Sequence, residues 1–171
     1  MNDSMNITNR AKVTDTEKMR QGFNKPQELA NGIYWLGMRR NVRLETNTYL
    51  LLLKIKGKDL PLLIDPGGPT VLNTIVHRVQ NILGNFKKLR LIFLSNQDPD
   101  VGLNFSYLLK RVPGLTIMCT NDVWRLAHTF GVSSGRFLSI NNITNGRLEL
   151  SEKHGLRLLP IPFCPSSGAC M

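Results

Sequence analysis

Two carboxylates stand just after an apolar stretch near the middle of the chain. Residues 89–94 have the sequence Leu-Arg-Leu-Ile-Phe-Leu, which is typical of a buried β-strand, and Asp98 and Asp100 flank Pro99 shortly after it. Proline fixes its own φ and favours extended backbone at the preceding residue, so we expect a rigid turn at the carboxyl end of the strand. Layered α/β folds bind their ligands at that end. Asp98 and Asp100 are therefore candidate residues of a functional site.

A carboxylate pair of this kind has two explanations. Carboxylate and carbonyl oxygens suit a hard cation such as Mg²⁺ or Mn²⁺, which would need a third donor besides Asp98 and Asp100. Residues 101–112, however, are predicted to form a helix that ends at Pro113-Gly114. Backbone N–H groups and the helix dipole stabilise carboxylates at a helix amino terminus without any metal. Metal binding and helix capping both stay open at this point.

The segments around these residues resemble the metallo-β-lactamase superfamily, and within it the branch of flavodiiron and oxygen-binding diiron proteins. The order Asn96-x-Asp98-x-Asp100-Val101 is similar to the H-x-[HED]-x-D-H metal motif of that superfamily. Three further segments extend the resemblance from about Gly32 to the last residue: an opening hairpin at 32–37 and 46–50, a strand end similar to LIDTG at 62–68, and a segment similar to the H-S-x-G of the diiron branch at 162–169.

The resemblance implies an α/β fold with a mixed sheet and flanking helices, namely the amino-terminal half of the four-layer αββα sandwich. Members of the branch bind oxygen at a non-haem diiron centre or reduce it with electrons from a flavin partner. Several ligand positions are substituted here: Asn96 and Pro165 stand where the family has histidines, and Val101 stands where hydrolytic members have a further one. A proline side chain donates nothing to a metal, and an asparagine amide is a poor substitute for imidazole.

The leading hypothesis is therefore a degenerate domain whose metal site is largely lost and which acts as a non-catalytic sensory or regulatory module. The resemblance leaves iron at a diiron centre, or another divalent metal, as the cofactor alternative. The bridging aspartate and final histidine of the family are expected beyond Met171. If Asn96 and Pro165 are former ligand positions, their side chains should share one cleft with Asp98 and Asp100.

Two other functions stay open. Asp98 and Asp100 with an unassigned third donor would form a weak divalent-metal site with a residual hydrolase or oxygen-binding role. The formal net charge of +10, from 22 basic and 12 acidic residues, instead suggests a basic module that associates with nucleic acid. The aromatic residues that single-strand binders place between their cations are absent, so nucleic acid is the less favoured partner.

Length and composition favour one soluble, cytoplasmic domain. The chain has 171 residues, of which 42% are hydrophobic and 20% charged. Residues 1–25 are predicted to be a flexible polar arm, and residues 26–171 a single domain that is incomplete at its carboxyl end. The longest apolar run, 49–53, is far shorter than the roughly 20 residues that span a bilayer, so no membrane is expected. The first residues do not form a secretory signal, and the three cysteines fit a reducing compartment.

Hydrophobic patterns predict an alternation of strands and helices, which is typical of a layered fold. The Leu50–Leu53 run suggests a strand buried on both faces. Because half of the sandwich would leave one apolar sheet face open, we expect a homo-oligomer or a missing downstream domain to cover it. The predicted strands cover 32–36, 47–56, 60–64, 89–94, 115–120, 137–140, 147–150 and 156–161, and the predicted helices cover 70–83, 101–112 and about 121–130.

Overall fold

Seven strands form one mixed sheet whose spatial order follows the order of the chain. The computed structural model describes residues 25–38, 47–143, 147–149, 155–157, 159–160 and 169–170. Strands β1 to β4 pair antiparallel, and β4 to β7 pair parallel. The strands are β1 (Gln27–Ala30), β2 (Ile33–Trp35), β3 (Tyr49–Ile55), β4 (Lys58–Ile64), β5 (Leu91–Phe93), β6 (Thr116–Cys119) and β7 (Phe137–Ser139). This mixed sheet confirms the predicted α/β architecture.

Four α-helices connect or follow the parallel strands within the described residues. They are α1 (Leu72–Leu83), α2 (Pro99–Gly102), α3 (Asn104–Arg111) and α4 (Asn121–Ala127). Two short antiparallel pairs lie outside the main sheet: β8 (Arg147–Glu149) with β9 (Gly155–Arg157), and β10 (Leu159–Pro160) with β11 (Ala169–Cys170). None of the helices in the described part of the chain is long and apolar enough to cross a membrane.

The β3–β4 hairpin forms as predicted, through a two-residue turn. Lys56 and Gly57 both have positive φ, 47° and 77°, which is the backbone of the tight turn that matches the twist of antiparallel strands. The prediction of burial on both faces of β3 holds for only part of the strand. Leu51 and Leu53 are half-buried against the core on one face, and the other face is buried at one end only. Leu50 is fully buried, whereas Leu52, on the same face and nearer the hairpin, is 37% exposed, because the helices cover only part of that face.

The helices cover one face of the sheet and enclose the larger core. Leu50, Leu63, Ile92 and Ile117 of the strands pack in the same cluster as apolar side chains of the helices, including Ile75, Val79, Phe105, Leu108 and Val123. The apolar stripe of α1 is confirmed at Ile75 and Val79. The same helix also buries Arg78, whose guanidinium donates hydrogen bonds to the carbonyl oxygens of Leu36 and Gly37. This arginine therefore ties α1 to the segment that follows β2.

The other face of the sheet is covered at its centre, which corrects the expectation of an open apolar face. Leu62, Phe93 and Met118 are buried there, and Leu148 of β8 and Leu156 of β9 pack against them. The hairpin of β8 and β9 thus supplies part of the second layer. A homo-oligomer or a downstream domain on this face stays a prediction.

Several boundaries differ from the sequence prediction for local reasons. Strand β1 was not predicted, and the predicted helix at 101–112 consists of α2 and α3, which meet at Leu103. The cap of α4 is Thr120, one residue before the predicted start of the helix, and its Oγ1 accepts a hydrogen bond from Val123 N at 3.1 Å. The predicted arm lies outside the described residues except for Lys25, and the division into an arm and one domain stays a prediction.

Candidate functional site

The loop between β5 and α2 holds Asn96 and Asp98 at the carboxyl end of β5, and Asp100 follows in the first turn of α2, as the sequence predicted. The side chain of Asn96 folds back on this loop, and its Oδ1 accepts a hydrogen bond from Asp98 N at 2.9 Å. An asparagine that binds the backbone two residues on is a common turn former. Asn96 therefore has a structural role in the loop.

Asp98 precedes α2 and Pro99 begins it, but the carboxylate of Asp98 forms no capping hydrogen bond with the helix. The capping explanation therefore fails for this side chain, although Asp100 does lie in the first turn. Asp98 is exposed and Asp100 is half-buried. The two carboxylates belong to one short turn and differ in their contact with solvent.

A second loop, Asp65–Gly68, follows β4 at the same edge of the sheet, because β4 and β5 pair in parallel. Asp65 has a φ of 49°, in the left-handed region that few non-glycine residues adopt. Its carboxylate accepts hydrogen bonds from Ser95 N at 2.8 Å and from Ser95 Oγ at 2.6 Å. Its carbonyl oxygen accepts a third from Thr48 Oγ1 at 2.7 Å. These bonds hold the two loops together.

Burial raises the pKa of Asp65 to about 6, while the hydrogen bonds from the hydroxyl and the backbone N–H of Ser95 pull it down. The ionised carboxylate is thus stabilised by the two hydrogen-bond donors of Ser95. Neither Asp65 nor Ser95 was predicted from the sequence to belong to the site. The strand end at 62–68 and the parallel arrangement of the strands contained the signal, since together they place Asp65 beside the loop of Asp98.

Backbone contacts lock the two loops over the rest of their length. Gly67 N donates to Val101 O at 2.7 Å, and Asn104 N donates to Gly67 O at 3.0 Å. The side chain of Asn104, which is buried, donates through Nδ2 to Pro66 O at 3.0 Å and to Gly68 O at 2.7 Å. A Cβ on Gly68 would lie 3.0 Å from Asp100 Cα, so the absence of a side chain there permits the close approach. The loops form one rigid unit.

The donors in this unit do not fit a diiron centre. The amide oxygen of Asn96 is used by the turn, and both carboxylate oxygens of Asp65 accept hydrogen bonds from Ser95. In the described part of the chain, no three His, Cys, Asp or Glu side chains are grouped so that they could hold a metal ion. Asp98 and Asp100 stay the predicted ligands. Pro165 lies outside the described residues, so its predicted place in this cleft stays a prediction.

Histidine does not contribute to the site among the described residues. His77 lies on α1, with its Nε2 3.2 Å from Asn81 Nδ2, and His128 follows α4, with its Nδ1 3.2 Å from Trp124 O. Both rings are exposed.

The cavity beside Asp98, lined in part by Leu94, Phe105 and Phe130, has a volume of about 10 Å³ and holds at most one water molecule.

Solved structures with the same fold include flavodiiron proteins and metallo-β-lactamases. The flavodiiron protein from Giardia intestinalis is 16% identical, with a TM-score of 0.69 over 85% of this chain and 36% of its own. The Nostoc sp. PCC 7120 protein named as diflavin flavoprotein A 5 (fragment 1–254) is 22% identical, with a TM-score of 0.69 over 85% and 60%. MEM-A1, a subclass B3 metallo-β-lactamase from a soil metagenome library, is 19% identical, with a TM-score of 0.62 over 86% and 57%.

At these identities the structural likeness shows the fold alone, and it confirms the predicted metallo-β-lactamase-like architecture. The chain spans less than two thirds of each of these three proteins. Comparison with curated protein sequences finds no match. The model of the family described as "ODP family beta lactamase" matches residues 44–171, which is well over half of the chain. The chain therefore belongs to the ODP family of beta lactamases, and its fold is that of the flavodiiron proteins and metallo-β-lactamases that the sequence was predicted to resemble.

Proposed function

We propose that this chain is a degenerate member of its family, in which a hydrogen-bonded loop has replaced the metal centre, and that it acts as a non-catalytic sensory or regulatory module. The observation that carries the proposal is the bond from Asp98 N to Asn96 Oδ1, at 2.9 Å. The side chain at a family ligand position is thus the structural partner of its own loop. A cation that recruited this oxygen would have to break the turn, at a cost of about 1 kcal/mol.

The neighbouring polar groups support the same proposal. Ser95 satisfies the carboxylate of Asp65, and the carbonyl oxygens of Pro66 and Gly68 satisfy the buried amide of Asn104. Among the described residues, every buried side-chain nitrogen and oxygen has a hydrogen-bond partner. Metal sites depend on donors whose lone pairs converge on the ion. In this loop unit, the oxygen atoms that could bind a metal instead accept hydrogen bonds from neighbouring groups of the unit.

A second candidate function is a weak divalent-metal site built on Asp98 and Asp100, with a residual hydrolase or oxygen-binding role. One observation favours it: the carboxylate of Asp98 makes no capping hydrogen bond, so it is not needed by the helix that it precedes. Oxygen donors of this kind prefer Mg²⁺ or Mn²⁺ to iron or zinc. The two candidates make opposite predictions for divalent ions.

Thermal unfolding of the full chain with and without Mg²⁺, Mn²⁺, Zn²⁺ and Fe²⁺ separates the candidates. The degenerate module predicts the same stability with every ion. A specific site would add about 2.7 kcal/mol at one hundred times its Kd. If such a gain occurs and is lost in Asp98→Asn and Asp100→Asn but kept in Asp122→Asn, the degenerate-site proposal is wrong. Asp122 is a suitable control because it is an exposed carboxylate in the first turn of α4.

A further inference from the structure

A cleft lies at the end of the sheet opposite the candidate site. It separates the β3–β4 hairpin from the carboxyl end of α1, and its volume is about 480 Å³. The candidate site lies at the carboxyl ends of β4 and β5, whereas Arg90 immediately precedes β5 and Leu83 ends α1. The cleft is therefore separate from the loops that carry Asp98. Its volume falls within the range of about 300 to 1,000 Å³ that is usual for small-molecule sites.

The wall of the cleft is largely apolar. Leu52 and Pro61 contribute from the sheet, and Ile82 and Leu83 contribute from α1. Leu52 is 37% exposed although it lies in a strand with an otherwise apolar sequence, and it is among the more exposed large apolar side chains of the described residues. An apolar surface that a fold leaves open inside a concavity gains free energy when an apolar ligand covers it.

The other part of the cleft is basic. Lys54, Lys88 and Arg90 line it, and Lys56, Lys58 and Lys87 lie on the adjoining hairpin and 3-10 turn. Asp59 is the acidic residue among those lining the cleft; it pairs with Lys54 at 3.7 Å, and the two side chains are 76% and 73% exposed. An ion pair as exposed as this contributes little to stability. The local charge is therefore strongly positive.

Neutral groups hold two of the three cations that line the cleft, Lys88 and Arg90, whereas the third, Lys54, pairs with Asp59. Lys88 Nζ donates to Leu83 O at 2.9 Å. The guanidinium of Arg90 donates to Lys87 O at 3.0 Å and to Leu89 O at 2.9 Å. Carbonyl oxygens orient these side chains without neutralising their charge. Both exposed side chains thus keep donors for an incoming anion.

We propose that this cleft binds an organic anion with an apolar body, such as a medium-chain carboxylate, with its chain on Leu52, Ile82 and Leu83 and its headgroup on Lys88 and Arg90. Charge complementarity selects the headgroup, and the apolar wall selects the body. Neither a bare anion nor an uncharged alkyl chain satisfies both halves of the cleft. The proposal does not depend on the state of the metal site.

Isothermal titration calorimetry of the full chain with octanoate, octanol and acetate tests the proposal. We expect octanoate to bind with one site per chain, and acetate and octanol to bind at least tenfold more weakly. Lys88→Gln should weaken octanoate about tenfold, which corresponds to about 1.4 kcal/mol. Leu52→Gln should weaken it by a similar factor through the other half of the cleft. Lys110→Gln, at an exposed lysine on α3, should leave binding unchanged.

Folding of each variant is checked by circular dichroism, and Leu52→Gln serves as the safer variant because it lies at a partly exposed position of a strand. The absence of octanoate binding, or octanoate binding that Lys88→Gln and Leu52→Gln both leave unchanged, would overturn the proposal. A short single-stranded oligonucleotide provides the last comparison. If it binds with a strong salt dependence and octanoate does not bind, the basic end is a nucleic-acid surface and the proposal is wrong.

Discussion

The carboxylate of Asp65 accepts two hydrogen bonds from Ser95, one from the backbone N at 2.8 Å and one from Oγ at 2.6 Å, although 30 residues separate them in the chain. The pair joins the loop after β4 to the loop after β5. It holds the segment that carries Asn96 and Asp98 against the end of the sheet. The loop that carries the predicted metal ligands is thus stabilised by a half-buried carboxylate and a hydroxyl.

This pair predicts a specific dependence of stability on pH. Burial raises the pKa of Asp65 from 3.8 to about 6 in the folded chain, so the folded state binds this proton more tightly than the unfolded state does. The stabilising contribution is full below pH 3.8 and is lost as the pH rises to about 6. The whole change is roughly 3 kcal/mol. Urea unfolding of the wild type across this range measures it.

Asp65→Asn is the matched variant for that measurement. Asparagine keeps the shape and an acceptor for Ser95 N, and it tolerates the left-handed backbone at this position. We expect the wild type to lose unfolding free energy relative to the variant as the pH rises from 3.8 to about 6. A difference that is the same at every pH in this range would contradict the assignment of the raised pKa to Asp65.

Ser95→Ala removes the hydroxyl donor from the buried carboxylate. We expect a loss of about 1.5 to 3 kcal/mol in unfolding free energy above pH 6, because a hydrogen bond to a charged acceptor is worth about that much. The pKa of Asp65 should also rise further, since the Ser95 side chain lowers it. Ser133→Ala is the control, because Ser133 is exposed and its side chain makes no capping bond. Equal stability of the two variants would show that the hydroxyl does not support the loop.

Gly68→Ala tests the close approach of the two loops. A Cβ there would lie 3.0 Å from Asp100 Cα and 3.3 Å from Asp100 O, and backbone atoms cannot move aside as a flexible side chain does. We expect a loss of about 1 to 3 kcal/mol, the usual cost of overpacking. Gly135→Ala, where a Cβ meets nothing within 4 Å, should cost little. A neutral Gly68→Ala measured by urea unfolding would mean that the loops are not locked together.

Asn96→His combined with Pro165→His tests the two substituted ligand positions. Loss of the bond from Asp98 N to Asn96 Oδ1 should cost about 1 kcal/mol of stability. If Pro165 shares a cleft with Asp98 and Asp100, as predicted, the two imidazoles should nevertheless tighten the binding of Zn²⁺, measured by competition with a chelating dye. Asn96→His alone is the comparison. If the double variant binds zinc no better than the single one, Pro165 does not lie in the same cleft.

The alternation of strands and helices was predictable from the sequence because hydrophobic periodicity and turn residues both specify it. The β3–β4 hairpin, for example, follows from apolar runs on both sides of the Lys-Gly turn. Strand β1 was missed because Gln27–Ala30 has neither alternation nor a β-branched residue and depends on pairing with β2. Tertiary pairing decided its conformation.

The contacts of the partly buried polar residues were not predictable for a different reason. Arg136 donates to the carbonyl oxygens of Leu109, Val112 and Leu115, at 2.7, 2.6 and 2.8 Å, and so joins the end of α3 to β6. Its type alone indicates an exposed side chain. Asp65 likewise acquires its shifted pKa only from the burial that the folded loops create. The sequence indicated the place of Asp98 and Asp100, but not the hydrogen bonds that occupy the positions around them.

The iron content of the full purified chain tests the central proposal most directly. The protein is expressed with supplementary iron, isolated without chelators, and measured by inductively coupled plasma mass spectrometry against protein concentration. The satisfied donors of Asn96 and Asp65 predict well under one iron atom per chain, with no gain after anaerobic incubation with Fe²⁺. Two iron atoms per chain would contradict the proposal of a degenerate site and would indicate a diiron centre.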